Sequence, residues 1–378
     1  NDQQIAALHR DIIQLQRTIN LLARRVYPEL QSNQVQSTDT IIYSAGREHV
    51  NGPDLARTSD GRLLVVWRSA SEHVASDARI TLMSSEDTGS SWSLPKEVGR
   101  CPWPVDSRDP VLHPLPNGTV LLTWFSYTYD RRGERRVPRK GERIHETLFL
   151  RSTDGGQNWT DEPETIDPGP LDWVVVHSPA VALPNGRLLL PCSTCNHPKP
   201  SASIFASDDD GETWHFHSMI GEIPVPARYP ETTLARAGSG RLVAHVRIDR
   251  GNQLQSMSTD EGKTWTDWIQ TPLVSDGHRA RLITLSSGHL LCSYGRRLRR
   301  ERVVDDGTSI RLAVSFDEGS TWDTERDTRI LRDDLPNGDT GYPVTVELPD
   351  GEFLTVYWFN QFQRLFLATN RWRSWWSQ

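Results

Sequence analysis

A short pattern, Ser-x-Asp-x-Gly-x-(Ser/Thr/Asn)-Trp, recurs five times along the chain, and it restricts the fold more than any other feature. The copies are Ser85-Asp87-Gly89-Trp92, Ser152-Asp154-Gly156-Trp159, Ser207-Asp209-Gly211-Trp214, Ser258-Asp260-Gly262-Trp265 and Ser315-Asp317-Gly319-Trp322. Each reads as a turn: Asp accepts backbone N–H bonds, Gly takes a positive φ, and Trp covers the loop. A second unit, a Gly turn followed by a β-rich run, precedes each box and occurs once more, at Gly61, Gly118, Gly186, Gly240, Gly288 and Gly351. Six modules of three or four short strands close best as a ring, an all-β six-bladed β-propeller over residues 40–378. The last module lacks its box, so the strand at 40–44 is expected to complete the sixth blade. A content of 26 Gly, 24 Pro and 14 Trp suits so many turns.

The N-terminus follows another rule. Ile5, Leu8, Ile12, Leu15, Ile19, Leu22 and Val26 alternate steps of three and four, the heptad spacing of a helix-helix seam, and Pro28 ends it. Residues 1–30 are expected to form an α-helical coiled coil that makes the protein a homo-oligomer, dimer or trimer, through residues 5–26. Residues 31–39 read as a linker. The formal charge of −7 excludes a strongly basic nucleic-acid surface, and no stretch is long and apolar enough to span a membrane. The basic runs Arg131 to Lys140 and Arg296 to Arg302 read as solvated loops over a cleft. Four cysteines are too few for a disulfide framework, and Cys192-x-x-Cys195 reads as structural. No metal or phosphate-binding motif is present, so no cofactor is expected. The chain begins Asn-Asp, consistent with a removed upstream leader or domain, which leaves the compartment open between export and retention, with a secreted or periplasmic setting favoured.

The turn glycines supply a register. Nine residues before them stand Gly52, Asp109, His177, Glu231, Arg279 and Tyr342, and seven after them Arg68, Phe125, Ser193, Arg247, Gly295 with Arg296 next, and Trp358. Unlike polar side chains at one repeated position inside apolar strands predict an axial cleft lined by Asp109, His177, Glu231, Arg247, Arg279 and Tyr342, with Arg68 and Arg296 beside them. A polar channel holding water and internal ion pairs is the alternative.

The boxes resemble those of the sialidase superfamily of six-bladed propellers, over about residues 40–378. Tyr229-Pro-Glu231 through Gly240 to Arg247 is similar to that family's Glu, turn Gly and Arg pattern, and Gly341-Tyr342-Pro through Gly351 is similar to its last-blade tyrosine segment. The resemblance implies a glycosidase in which Tyr342 is the nucleophile, Glu231 its base and Arg247 a ligand of the substrate carboxylate. A neutral phenol can approach an anomeric carbon that bears a carboxylate, whereas an anion would be repelled. The family's acid lies on a first-blade loop, where Asp77 matches and His73 competes because its ionisation lies near neutrality. Asp109 would contact ring substituents or pair with Arg108. Two departures stand out: the family's Arg-Ile-Pro triplet reads Asn51-Gly52-Pro53, and Gly307 occupies the place of its third arginine. Arg68, Arg279 or Arg296 are the candidates to replace the missing pair. The expectation is an exo-glycosidase that removes a terminal acidic sugar, sialic acid or a related nonulosonate, from a glycan. The alternatives are a hydrolase or lyase for uronate- or deoxysugar-containing polysaccharide, with His177 or His73 as base and Tyr342 assisting, or a non-catalytic glycan-binding propeller with avidity from its coil.

Overall fold

A computed structural model describes residues 39–46, 48–128, 145–194, 199–297, 308–322, 324, 328–335, 340–361 and 364–376. The expected coiled coil, the linker up to residue 38, Cys195 and Gly307 lie outside the described residues. Six antiparallel sheets follow one another along the chain, each a blade. Blade 1 comprises His49–Arg57, Leu63–Ala70, Arg79–Ser85 and Lys96–Gly99, and blade 2 comprises Asp106–Pro114, Val120–Tyr127, Thr147–Ser152 and Glu164–Thr165. In blade 3 the inner strand is broken into Val175–Val176 and Val181–Ala182, followed by Leu188–Thr194, Ser201–Ser207 and His215–Glu222. Blade 4 has Thr232–Arg236, Leu242–Val246, Asn252–Ser258 and Ile269–Val274; blade 5 has Ala280–Thr284, Leu290–Arg296, Thr308–Ser315 and Thr328–Leu335. Blade 6 takes Thr340–Glu347, Glu352–Gln361 and Arg364–Arg373, and its outermost strand is Asp39–Ser44, paired antiparallel with Arg364–Arg373. The start of the described chain thus closes the ring.

The second strand of each blade is buried on both faces, which is why Leu63–Ala70 and Val120–Tyr127 read as near-continuous apolar runs. Those residues pack between blades. One cluster joins Leu64, Val66, Ile80 and Leu82 of blade 1 to Leu112, Val120, Leu122 and Leu150 of blade 2.

The boxes form as expected at the periphery. In each, Ser Oγ accepts the Gly N–H at 2.8–3.0 Å. Asp Oδ1 accepts the Ser hydroxyl at 2.7–2.8 Å. It also accepts the N–H four residues on at 2.8–2.9 Å. The bonds from Ser91, Asn158 and Thr264 hold the carboxyls of Asp87, Asp154 and Asp260 down at about 2. That contribution is complete above the ordinary carboxylate range and is lost only as pH falls toward the depressed value.

The boxes also lock blades together. A Cβ on the box glycine would crowd one residue of the preceding blade, at 2.5–3.0 Å from Leu354 for Gly89, Leu64 for Gly156, Leu121 for Gly211 and Val243 for Gly319, and would only touch Leu189, at 3.4 Å, for Gly262. Each of these stands three residues after its blade's turn glycine. The two repeated sequence units are therefore the two halves of one contact. Blade 6 has no box, and there Leu291 of blade 5 packs in a cluster with Phe353 and Trp372 instead.

Gly156, at φ +86°, and Gly186, at φ +89°, both adopt left-handed backbone, but a Cβ on Gly156 would lie 2.5 Å from Leu64 Cδ1 while one on Gly186 meets nothing within 4 Å. Gly186→Ala should cost about 1–2 kcal/mol for its backbone alone. Gly156→Ala should cost about 1–3 kcal/mol more in denaturant unfolding, and less than additively with Leu64→Ala. Equal losses for the two glycines would remove the inter-blade contact from the account.

Candidate active site

The inner strands meet around the axis, and three of them carry the same irregularity. Gly52-Pro53, Asp109-Pro110 and Tyr342-Pro343 occupy one register position in blades 1, 2 and 6. There the pairing slips between Asn51 and Asp54, Arg108 and Val111, and Gly341 and Val344. The residue before each proline has a positive φ, +59°, +45° and +51°. Proline donates no N–H, so the ladder yields at that point as a bulge, which re-aims the preceding side chain. In blade 1 that residue must be glycine, because a Cβ at Gly52 would lie 2.8 Å from Asp109 Oδ1.

Tyr342 is thereby brought against blade 4. Its hydroxyl donates to Glu231 Oε1 at 3.1 Å. Arg247 Nη1 donates to Glu231 Oε2 at 2.7 Å and to the Tyr342 hydroxyl at 2.9 Å, closing a triangle. Arg279 lies over the Tyr342 ring, 4.7 Å from Cζ to centroid, and its Nη2 donates to the Pro53 carbonyl at 3.2 Å. Arg279 is 2% exposed, and its Nη1 has no hydrogen-bond partner. Asp109 Oδ2 stands 3.6 Å from His177 Nε2, just beyond hydrogen-bond range. Asp109, His177, Glu231, Arg279 and Tyr342, five of the six register residues, are thus brought into one cluster with Arg247.

Burial, then the Glu231 charge, pushes the Tyr342 phenol up to about 12 against the pull of Arg247 and Arg279. Burial opposes the Arg247 charge, but Glu231 and Tyr342 outweigh it and keep the guanidinium firmly protonated. Burial likewise opposes an ionised Asp109, yet His177, Arg279 and Arg108 together hold its carboxyl well below the usual range. Ligand-type atoms of Asp109, His177 and Glu231 lie within 4.8 Å of one another, a spacing that suits a cation. The guanidinium groups of Arg247 and Arg279 act on those same carboxylates and already balance their charge.

The other sequence candidates fall elsewhere. Arg68 is fully buried and ion-paired with Asp106, Nε to Oδ1 at 2.8 Å. Asp77 and His73 are exposed on the blade 1 loop after Leu63–Ala70, with Asp77 Oδ1 accepting from the Ser71 N–H and hydroxyl at 3.1 Å each. Arg296 ends the second strand of blade 5, half-buried. Two groups were missed by sequence. Buried His278 stands edge-on to Tyr342, with centroids 6.4 Å apart, and accepts from Arg297 Nε at 3.1 Å. It fits only because Gly295 and Gly341 lack side chains, since a Cβ would lie 2.2 Å and 2.9 Å from its Nδ1. Arg281 pairs with Asp54 across the ring. The repeated X-Pro step was the available signal for the bulges; nothing in the repeats marks His278 or Arg281.

A profile of the BNR repeat-like domain matches residues 61–355. The chain belongs to that family. It is a divergent member of the sialidase superfamily. It is 27% identical over 176 residues to Sialidase-4 of Homo sapiens, covering 41% of this chain and 35% of that protein. It thus spans about a third of that relative's length. A protein of unknown function from Dyadobacter fermentans superposes with a TM-score of 0.73 at 22% identity, covering 89% of this chain and 98% of that one. The intramolecular trans-sialidase from Ruminococcus gnavus, in complex with oseltamivir carboxylate, superposes with a TM-score of 0.65 at 16% identity over 90% of this chain and 98% of that one. These likenesses show the BNR propeller fold, and the chemistry has to be read from the site.

The raised Tyr342 ionisation is directly measurable. In the ultraviolet difference between wild type and Tyr342→Phe, no phenolate signal should appear at pH about 10, where an exposed tyrosine is half ionised. A full phenolate step at that pH would contradict the buried Tyr342–Glu231 contact.

Proposed function

We propose that this protein is an exo-acting glycosidase that releases a terminal acidic sugar, sialic acid or a related nonulosonate, from glycans. The observation that carries the reading is the closed triangle of Tyr342, Glu231 and Arg247, buried beside Arg279 and Asp109. A binding protein gains nothing from a phenol hydrogen-bonded to a carboxylate, whereas a nucleophile needs a base within reach. The phenol does not ionise by itself near neutrality, so its proton passes to Glu231 as the oxygen attacks the anomeric carbon. Arg247 and Arg279 then face the charge that develops on the oxygen and ring.

The sugar carboxylate would meet Arg247 and Arg279. Arg279 Nη1 and Arg247 Nε are buried without hydrogen-bond partners, and a carboxylate supplies the missing acceptors. Arg279 is therefore the preferred replacement for the arginine that Asn51 does not provide. Asp109 and His177, on the opposite blades, are suited to hydroxyl or amide substituents of the ring. Attack forms the Tyr342 O–C bond and breaks the glycosidic C–O bond, with an acid on the blade 1 loop protonating the leaving oxygen. Water then displaces Tyr342, which recovers its proton from Glu231.

A panel of fluorogenic sialosides and uronides tests the assignment. Wild type should cleave sialosides or related nonulosonides, and Tyr342→Phe and Glu231→Gln should each lower kcat/KM by roughly 10³-fold or more with the melting temperature little changed. Wild-type rates in both variants would refute the roles, and an unsaturated product absorbing in the ultraviolet would mark a lyase instead.

A further inference from the structure

We propose that His278 is a positioning residue for the nucleophile: its imidazole, wedged between Gly295 of blade 5 and Gly341 of blade 6, fixes the aromatic ring of Tyr342 so that the hydroxyl stays on Glu231. This rests on the glycosidase reading above. The need for such support is local. Tyr342 stands at φ +51°, after Gly341 at φ +123° and before Pro343. A non-glycine residue in left-handed backbone is strained, and it persists only where its surroundings over-determine it. The pairing of the inner strand slips between Gly341 and Val344, so the ladder does not hold Tyr342 in place. Side chains take over that task.

Two consecutive residues of blade 5 supply them. Arg279 lies over the face of the Tyr342 ring, and His278 stands at right angles to it, with 6.4 Å between centroids and 88° between planes. The His278 side chain is fully buried. Gly295 and Gly341 flank it so closely that a Cβ on either would run into the imidazole. The imidazole therefore bears directly on the residue that precedes the nucleophile as well as on the nucleophile's ring.

The wedge is itself anchored. Arg297 Nε donates to His278 Nε2 at 3.1 Å, and the backbone N–H groups of Arg297 and His278 both donate to the Ser275 carbonyl, at 3.4 and 3.3 Å. Asp276 and Gly277, at φ +50° and +85°, make the turn that leads into His278. That turn is tied to blade 4. The Ser275 and Asp276 N–H groups both donate to the Gly251 carbonyl at 3.1 Å, and the Gly251 N–H donates to Asp276 Oδ1 at 2.9 Å. Gly251 follows Arg247 by four residues. A continuous set of contacts thus runs from the segment after Arg247, through the turn of blade 5, to the bulge of blade 6, and His278 is its last link. His278 acts through the Tyr342 ring and exchanges no proton in the reaction.

Rates and the resting protein test this separately. His278→Ala should lower kcat about 10–10²-fold with KM little moved, because a misplaced nucleophile costs turnover while Arg247 and Arg279 still meet the sugar carboxylate. The second reading needs no turnover. In the ultraviolet difference between His278→Ala and the same variant carrying Tyr342→Phe, the phenol should ionise well below its wild-type midpoint, toward the ordinary value of about 10, because burial is the first cause of its rise. The charges that act on it, from Glu231 and Arg247 of blade 4, Asp109 of blade 2 and Arg279 of blade 5, are all retained in that variant. An imidazole is uncharged at such a pH, so its own loss removes no charge. His278→Gln keeps an acceptor for Arg297 and much of the volume; it guards against a variant that fails to fold and should show both effects in weaker form. A phenol that stays at its wild-type midpoint in the variants that fold would overturn the assignment, as would a raised KM with kcat unchanged. A wild type inert on every acidic glycoside counts against the glycosidase reading beneath it, whereas the phenol midpoint still decides whether His278 holds Tyr342.

Discussion

The ring is held by side chains of one blade bonding the backbone of another around the axis. Asp54 Oδ2 accepts the Leu112 N–H at 2.7 Å, His113 Nδ1 accepts that of Ala180 at 3.0 Å, and Thr233 Oγ1 accepts that of Leu282 at 3.0 Å. An inner strand near the axis has one edge without a ladder partner, and its buried N–H groups must find acceptors elsewhere. The acceptors fall at nearly the same register in each case, because every blade faces its neighbour through the same step. His113 can serve because burial and Arg281 push its imidazole down to about 3, leaving Nδ1 free of a proton. Outside these polar contacts the box glycines add apolar ones, so blades 1 and 2, 2 and 3, and 4 and 5 are fixed to one another at two radii.

A ring so constructed places unlike charges from separate blades at one height. The proposed chemistry uses that proximity. Tyr342 keeps its proton because of burial and then the Glu231 charge, whereas Asp109 stays ionised and Arg247 stays charged because their neighbours outweigh burial. Below them, Asp54 and Arg281 form a second buried pair, in which burial raises the carboxyl against the pull of Arg281. Arg279, just before the inner strand of blade 5, reaches the Tyr342 ring and the Pro53 carbonyl, and Arg281, two residues on and within that strand, reaches Asp54.

Counting from the turn glycines was enough to gather Asp109, His177, Glu231, Arg279 and Tyr342, because an offset within a repeat fixes which end of an inner strand a residue occupies. The strand at 40–44 was legible for the same reason: one module lacked a piece. Offsets do not say which partner a long side chain chooses. Arg68 stands two residues before the end of its strand, but Asp106, two residues before Arg108 in the next blade, captures its guanidinium. The bulges escaped notice since they depend on proline removing one hydrogen bond, an effect invisible to a count of residues. His278 escaped because its place is defined by two missing side chains, those of Gly295 and Gly341. The heptads at 5–26 lie outside the described residues.

The claim on which the functional account rests is that the Tyr342 oxygen becomes bonded to the sugar. A fluorinated acidic sugar with a good leaving group slows the second step more than the first, so a covalent intermediate accumulates and can be mapped by peptide mass spectrometry. The account predicts the added mass on the peptide carrying Tyr342, and none in Tyr342→Phe. An adduct on Glu231 or Asp109, or substrate consumption with Tyr342 never modified, would contradict it.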